Sequence, residues 1–183
     1  ENKYICDFNI IFPDKNNDVN IFKELLNNIN YKADDKDLVT KIYFIFKSMM
    51  FYGSKKIILY STSIEESNKY KEIIEWMKHL VNIEVNVNII DYKTSKLNRI
   101  ENIKQFKNDK SYSILINVQI LNEGIDIPEC DSVFITKPND NIINLIQRMC
   151  RCNRIMPNKK ECNIFIWGSK NKKILKILDE NLS

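Results

Sequence analysis

The stretch KIILYSTSIEESNKY (residues 56–70) contains the pattern that decides the fold. The run KIILYS is short, apolar and rich in β-branched residues, which is typical of a buried strand. Ser63 is followed three residues later by Glu66, the spacing of a capping box at the start of a helix. A buried strand that turns directly into a capped helix predicts one βα unit of an α/β fold.

The same alternation of strand and helix patterns continues along the chain. Apolar, β-branched runs predict strands at residues 4–12, 56–61, 85–91, 112–118, 132–136 and 163–167. Helical patterns occupy residues 19–29, 37–50, 64–80, 95–106, 142–151 and 170–182. This order predicts an α/β three-layer sandwich, a mostly parallel sheet with helices on both faces. The alternating run VNVNII (residues 85–90) predicts an edge strand.

Length and composition indicate one domain of 183 residues, with residues 1–54 as a lead-in strand and helices and residues 55–183 as the core. The chain begins on Glu1 and not on Met, so we expect it to be a piece of a longer protein. No apolar run approaches the ~20 residues of a membrane helix, and the first residues do not resemble a signal peptide. We therefore expect a soluble, intracellular protein with no membrane partner. The net charge of +4 is compatible with a polyanion partner but does not argue for one.

The five cysteines suggest neither a disulfide framework nor a metal site. Their number is odd and none belongs to a CxxC pair. Cys150 and Cys152 would lie about 200° apart around a helix, and the arginines beside them would repel a cation. We expect reduced, packed thiols and no bound metal.

Three arginines recur at three-residue intervals in QRMCRCNR (residues 147–154). A helix running from Ile142 through this segment would have an apolar face formed by Ile142, Leu145, Met149 and Cys152. Gln147, Arg151 and Arg154 would then cluster within about 60° on the opposite side. Arginine grips phosphate oxygens with a planar fork, so a phosphate site is the better chemical interpretation. A solvated basic face is the alternative.

The turn EGIDIP (residues 123–128) precedes a predicted strand and contains one of only three glycines, Gly124. This glycine predicts a turn that needs unusual dihedral angles or a close backbone approach. Asp126 could accept hydrogen bonds from a sugar hydroxyl or hold a neighbouring arginine. It could equally be a simple turn-forming aspartate.

Taken in order, the blocks at residues 55–70, 95–135 and 141–154 resemble motifs IV, V and VI of the second RecA-like domain of superfamily 2 helicases and translocases. The resemblance covers the chain from Lys55 to Trp167. The opening ENKYICDFNIIFP (residues 1–13) also resembles the segment where these proteins leave their first lobe. A Gly-x-Asp-x-Pro turn followed by Gln-Arg-x-x-Arg-x-x-Arg is a specific combination, although either pattern alone would be weak.

This resemblance implies roles for the residues of motifs V and VI. Arg151 and Arg154 would be arginine fingers that reach the terminal phosphate of ATP bound on the first lobe. Gln147, Gly124 and Asp126 would lie near the nucleotide and the cleft between the lobes, and Arg148 would pair within its own lobe. The sequence departs from the family pattern at Cys150, where a glycine is common.

For nucleic acid, the resemblance implies backbone contacts from Ser61, Thr62, Ser63, Asn117 and Gln119. The segment 117–119 also departs from the family pattern, because it lacks the common threonine of early motif V. The EGIDIP and QRxxRxxR patterns favour DNA over RNA. The expected partners are this nucleic acid and the first RecA-like lobe of the same polypeptide.

The 183 residues contain no GxxxxGK[ST] loop and no acidic DExx motif. The resemblance therefore implies that the absent first lobe binds ATP and Mg²⁺ and that this chain alone is inactive as an ATPase. The alternative is a non-catalytic RecA-like module that binds protein or nucleic acid. Absence of both missing motifs from the residues that precede Glu1 in the full gene would favour that alternative.

Other chemistries are poorly supported by the sequence. The only histidine, His79, lies in a polar helix end and is expected to be a surface residue, which argues against a hydrolytic triad. Trp76 and Trp167 could stack bases, but their positions in an amphipathic helix and at a strand end favour core packing.

Overall fold

The computed structural model describes residues 6–13, 36–118, 126–138, 142–159 and 161–168. The strands in these residues are β1 (Asp7–Ile11), β2 (Lys56–Tyr60), β3 (Val85–Ile90), β4 (Tyr112–Asn117), β5 (Ser132–Ile135) and β6 (Glu161–Ile166). The helices are α1 (Lys36–Tyr52), α2 (Ile64–Val81), α3 (Lys96–Asn108) and α4 (Ile142–Met149). All six predicted strands are confirmed. The helices predicted at 19–29 and 170–182 lie outside the described residues.

The six strands form one sheet in the order β1-β6-β5-β2-β4-β3, and every neighbouring pair is parallel. The predicted α/β fold is confirmed, and the predicted edge position of the VNVNII strand is confirmed by β3. The opposite edge is β1, which pairs with β6 from Asp7 opposite Glu161 to Ile11 opposite Phe165. The first strand of the lead-in segment is therefore an integral part of the sheet.

Both faces of the sheet are covered, which explains the continuous apolar runs of its central strands. In β2, Ile57 and Leu59 belong to the core beneath α1 and α2, whereas Ile58 and Tyr60 belong to the core shared with α3 and α4. All four side chains are buried. Alternate residues of one strand thus enter two different cores, and a polar substitution at any of these positions would be costly.

Helix α2 begins where the capping pattern predicts. Ser63 is the N-cap, and its hydroxyl accepts a hydrogen bond from the amide of Glu66 at 3.1 Å. Helix α3 is capped in the same way by Ser95, which accepts from the amide of Asn98 at 3.2 Å. These caps fix both helices immediately after strand ends, so their first turns lie at the carboxyl edge of the sheet.

Helix α4 ends at Met149, two residues earlier than predicted. The amide of Cys150 still donates to the carbonyl of Ile146, but the amide of Arg151 donates to Arg148, only three residues back. This tightening ends the helix and buries the Cys152 side chain completely. Arg151 therefore lies in the exit turn and Arg154 beyond it, so the shared helical face that a helix continuing through Arg154 would create does not form.

Several expectations about single residues are also settled by burial. Trp167 is buried and packs edge-on against Phe44 with ring centroids 5.3 Å apart, as expected for a core residue. His79 is exposed on α2. The five cysteines form no disulfide, and all except Cys150 are buried, which confirms the expectation of packed thiols. Within the described part of the chain, no helix combines the length and apolar character needed to cross a membrane.

Candidate nucleotide and nucleic-acid site

The carboxyl edge of the sheet brings the ends of three strands together. The amide of Ser61, which follows β2, donates to the carbonyl of Asn117 at the end of β4 at 3.0 Å. On the other side of β2, the hydroxyl of Thr136 donates to the carbonyl of Tyr60 at 2.7 Å. Ligands of open α/β sheets bind at this edge, and the predicted motif IV and early motif V residues meet there.

One carboxylate organises the loop between β2 and α2. Glu66 accepts hydrogen bonds from the Thr62 amide at 2.7 Å, the Thr62 hydroxyl at 2.6 Å and the Ser61 hydroxyl at 3.0 Å. Its other oxygen accepts from the hydroxyl of Tyr70 at 3.1 Å. Burial alone would raise the pKa of Glu66, but the bonds from Thr62, Ser61 and Tyr70 outweigh burial and lower that pKa below its ordinary value. Glu66 therefore stays negatively charged beside the predicted nucleic-acid contacts.

The predicted nucleic-acid contacts divide into two groups by accessibility. Thr62 and Ser63 are exposed at the start of α2. Ser61 and Asn117 are buried, with 6% and 0% of their surfaces exposed, so these side chains support the loop and do not reach its surface in this conformation. Gln119 lies outside the described residues.

The turn between β3 and α3 forms a polar groove that sequence reasoning missed. Its volume is about 440 Å³, and its lining includes Asp91, Thr94, Ser95, Asn98 and Asn102. The carboxylate of Asp91 shapes the turn by accepting from the Thr94 amide at 2.8 Å and the Thr94 hydroxyl at 3.0 Å. The signal in the sequence is the polar segment DYKTS (residues 91–95), which leads into the predicted helix.

Motifs V and VI meet through an ion pair. The Nε atom of Arg154 lies 3.7 Å from Oδ1 of Asp126, and more than half of each side chain is exposed. The two residues are brought together although 28 positions separate them in the chain, and this is the contact with an arginine that the sequence allowed for Asp126. Gly124, the other predicted motif V residue, lies outside the described residues.

The other two arginines of motif VI, Arg148 and Arg151, lie near Tyr60. The guanidinium carbon of Arg148 is 5.2 Å from the centre of the Tyr60 ring, so Arg148 makes a cation–π contact within its own lobe. Burial raises the pKa of the Tyr60 hydroxyl, and the positive charges of Arg151 and Arg148 oppose that rise. Arg151 is partly exposed in the exit turn of α4, and Gln147 is exposed on the helix itself.

Comparison with known proteins identifies the family. The helicase conserved C-terminal domain model matches residues 39–156. The chain belongs to this family. The match confirms the resemblance to a helicase C-terminal domain that the motifs indicate.

Individual relatives are more distant. A "51.5 kDa protein" of a Lactococcus phage (isolate 7-9) is 28% identical over 119 residues, which cover 63% of this chain and 25% of that protein. The ATP-dependent Type ISP restriction-modification enzyme LlaBIII bound to DNA superposes with a TM-score of 0.75 and 19% identity. That match covers 96% of this chain and 14% of the enzyme chain. The helicase domain thus spans a quarter or less of either of these proteins.

A second solved structure has the same fold in a different context. Domain 2 of the DEAD-box helicase Mss116p, bound to an RNA duplex, superposes with a TM-score of 0.58 and 18% identity, over 78% of this chain and 54% of that chain. The fold is therefore shared by proteins whose structures contain DNA and by proteins whose structures contain RNA.

A second set of contacts missed by sequence reasoning holds the loop between motif V and β5 of the helicase domain. The carboxylate of Asp131 accepts from the amides of Lys55 and Lys56 at 2.9 and 3.0 Å. Burial raises the pKa of Asp131, although these bonds oppose the rise. The ammonium of Lys159 donates to the carbonyls of Pro128 at 2.8 Å and Cys130 at 3.0 Å. No local pattern marks Lys159, because its partners lie about thirty residues earlier in the chain.

Proposed function

We propose that this helicase domain is the second motor lobe of an ATP-dependent DNA helicase or translocase, completed by a first RecA-like lobe in the same polypeptide. The observation that carries the proposal is the ion pair between Asp126 of motif V and Arg154 of motif VI. It joins the two motifs at an exposed position, where a guanidinium can also meet an outside anion.

The side chains of this site fit one end of a bound ATP. Arg151 and Arg154 supply positive charge, but the sequence contains no GxxxxGK[ST] loop and no acidic DExx motif to hold the phosphates and Mg²⁺. We infer that ATP and Mg²⁺ are held mainly by the first lobe. ATP supplies the phosphoryl group whose transfer drives the lobes between closed and open states.

The two arginines have different tasks in this proposal. Arg154, whose Nε lies 3.7 Å from the Asp126 carboxylate, would reach across the cleft toward the terminal phosphate. Arg151, near Arg148 and Tyr60, adds a second positive charge at the same boundary. Fixed cations that face developing negative charge stabilise a phosphoryl-transfer transition state. Gln147 and Gly124 would complete the nucleotide side of the cleft.

Nucleic acid would bind at the carboxyl edge of the sheet. Thr62 and Ser63 are exposed there and can contact phosphate oxygens without reading sequence. Ser61 and Asn117 lie beneath them, and Gln119 would extend the contact. DNA is favoured because the EGIDIP and QRxxRxxR patterns resemble those of the DNA-acting branches of the family.

Turnover measurements on the full-length protein test the catalytic roles. Arg151→Ala and Arg154→Ala should each lower the kcat for ATP by about 10³-fold, with little change in nucleic-acid affinity. Arg148→Met is the matched control, because it removes an arginine of the same segment that contacts Tyr60. It should lower thermal stability without a comparable loss of kcat. Equal losses of turnover and nucleic-acid affinity in the alanine variants would instead indicate a binding role.

Two further assays test the proposal. The isolated 183-residue chain should show no Mg²⁺-dependent ATP hydrolysis, and turnover that disappears on replacing Arg151 would contradict this expectation. In the full-length protein, double-stranded DNA should stimulate hydrolysis more than RNA does. Absence of turnover with every nucleic acid would support the alternative, a non-catalytic RecA-like module.

A further inference from the structure

A lysine outside the three motifs contacts the motif V turn directly. Lys107 is in the last turn of α3, and its ammonium donates a hydrogen bond to the carbonyl of Asp126 at 2.9 Å. The same ammonium lies 3.7 Å from the carboxylate of Glu129. The side chains of Lys107 and Glu129 are only 29% and 25% exposed, so this contact is more shielded from solvent than an ordinary surface pair.

The carbonyl held by Lys107 belongs to the residue that holds Arg154. The Asp126–Arg154 pair is itself well exposed, with 65% and 58% of the two side chains accessible. Exposed ion pairs contribute little ordering by themselves. The direction of the Arg154 guanidinium therefore depends on how firmly the backbone of Asp126 is fixed.

We propose that Lys107 is a positioning residue for Arg154 and acts through the backbone of Asp126. This inference rests on the proposed function, in which Arg154 meets the terminal phosphate. Lys107 fixes the backbone of Asp126 in the segment that leads into β5. Lys159 fixes the loop further along, at Pro128 and Cys130. We call the hydrogen bond from Lys107 to the Asp126 carbonyl the clamp. A small displacement of a group that stabilises a transition state raises the activation barrier, so loss of the clamp should reduce turnover more than substrate binding.

Helix α3 also provides the matched control. Lys104 lies three residues before Lys107 on the same helix and is exposed. Lys104→Met therefore removes the same charge from the same helix without removing the bond to Asp126. Lys107→Arg keeps a cationic donor at the clamp and should restore part of the lost function.

The experiment measures ATP turnover by the full-length protein at saturating DNA, over a range of ATP concentrations. Lys107→Met should lower kcat about tenfold with a much smaller change in KM. Lys104→Met should stay within about twofold of the wild type, and Lys107→Arg should fall between the two. In an Arg154→Ala background, Lys107→Met should cause no further loss, because a residue that acts through Arg154 has nothing left to position.

The outcomes separate this inference from the proposed function. If Arg154→Ala abolishes turnover while Lys107→Met matches Lys104→Met, the proposed function stands and Lys107 has no positioning role. An equal loss from Lys107→Met with and without Arg154 would also overturn the inference, because it indicates a general structural effect. If Arg154→Ala matches the wild type, the proposed role of Arg154 fails and this inference fails with it. Lys107→Ala, which also removes the donor to the Asp126 carbonyl, replaces the methionine variant if that variant does not fold.

Discussion

Replacing Glu66, in the first turn of α2, with alanine should destabilise the domain more than any single change in the loop between β2 and α2. The carboxylate accepts four hydrogen bonds, from the Thr62 amide and hydroxyl, the Ser61 hydroxyl and the Tyr70 hydroxyl. A hydrogen bond to a charged group contributes about 1.5–3 kcal/mol when buried. Water can replace the bonds to Thr62, which is exposed, but it reaches Ser61 and Tyr70 poorly because both are buried.

We therefore expect Glu66→Ala to lower the free energy of unfolding by about 2–3 kcal/mol. For a domain of this size, that loss corresponds to a fall in Tm of about 5–10 °C. The measurement is guanidinium unfolding of the chain, followed by far-UV circular dichroism and by the fluorescence of the buried Trp167. Glu65→Ala is the control, because Glu65 is in the same first turn and makes only an exposed pair with Lys69 at 3.7 Å. Glu65→Ala should lower the free energy of unfolding by less than about 0.5 kcal/mol.

The pH dependence provides an independent check on the same carboxylate. Because the folded-state pKa of Glu66 lies below its ordinary value of 4.5, its charged form stabilises the fold above that pH. The stability difference between the wild type and Glu66→Gln should therefore be complete at neutral pH and decline as the pH falls through the lowered pKa. A difference that is independent of pH, or an alanine variant as stable as Glu65→Ala, would refute the reasoning.

Two other changes test the fold away from the site. Asp109→Asn should lower the free energy of unfolding by about 1 kcal/mol at neutral pH. The reason is that the Asp109 carboxylate accepts hydrogen bonds from Asn86 and Ser111, which lower its pKa. The stability difference between the wild type and this variant should shrink as the pH falls below about 4. Thermal unfolding of both proteins in acidic and in neutral buffer measures this difference. Phe134→Ala should lower the free energy of unfolding, measured by chemical denaturation, by about 3–5 kcal/mol. Phe134 is fully buried and stacks on Phe165 with ring centroids 5.9 Å apart. A loss below about 1 kcal/mol would mean that the core beside β5 is loosely packed.

Much of the fold could be predicted because its signals are local. Each strand was visible as a short apolar run, and the start of α2 was visible as a serine followed three residues later by a glutamate. These patterns depend on residues within one or two turns of each other. The predicted helix runs two residues past the end of α4, because the exit turn tightens and buries Cys152 against residues that are distant in the chain.

The candidate site was predictable only in its residue types. The spacing of the arginines indicated phosphate, and the resemblance assigned them to motif VI, but the Asp126–Arg154 contact depends on the packing of two loops. Asn117 was expected at the nucleic-acid surface and proves fully buried, because β4 lies between β2 and β3 with helices over both faces. A sequence pattern does not distinguish a polar residue at the surface from one that supports it.

The amino-acid sequence by itself determined that this protein is an α/β domain of the helicase type, because periodicity, caps and motif order are properties of neighbouring residues. Only the tertiary structure decided the order of the strands and the hydrogen bond from Lys107 to the motif V turn. The pairing of strands and the contact between Lys107 and Asp126 join positions far apart in the chain. Their partners are selected by the packing of the whole sheet, which no short segment encodes.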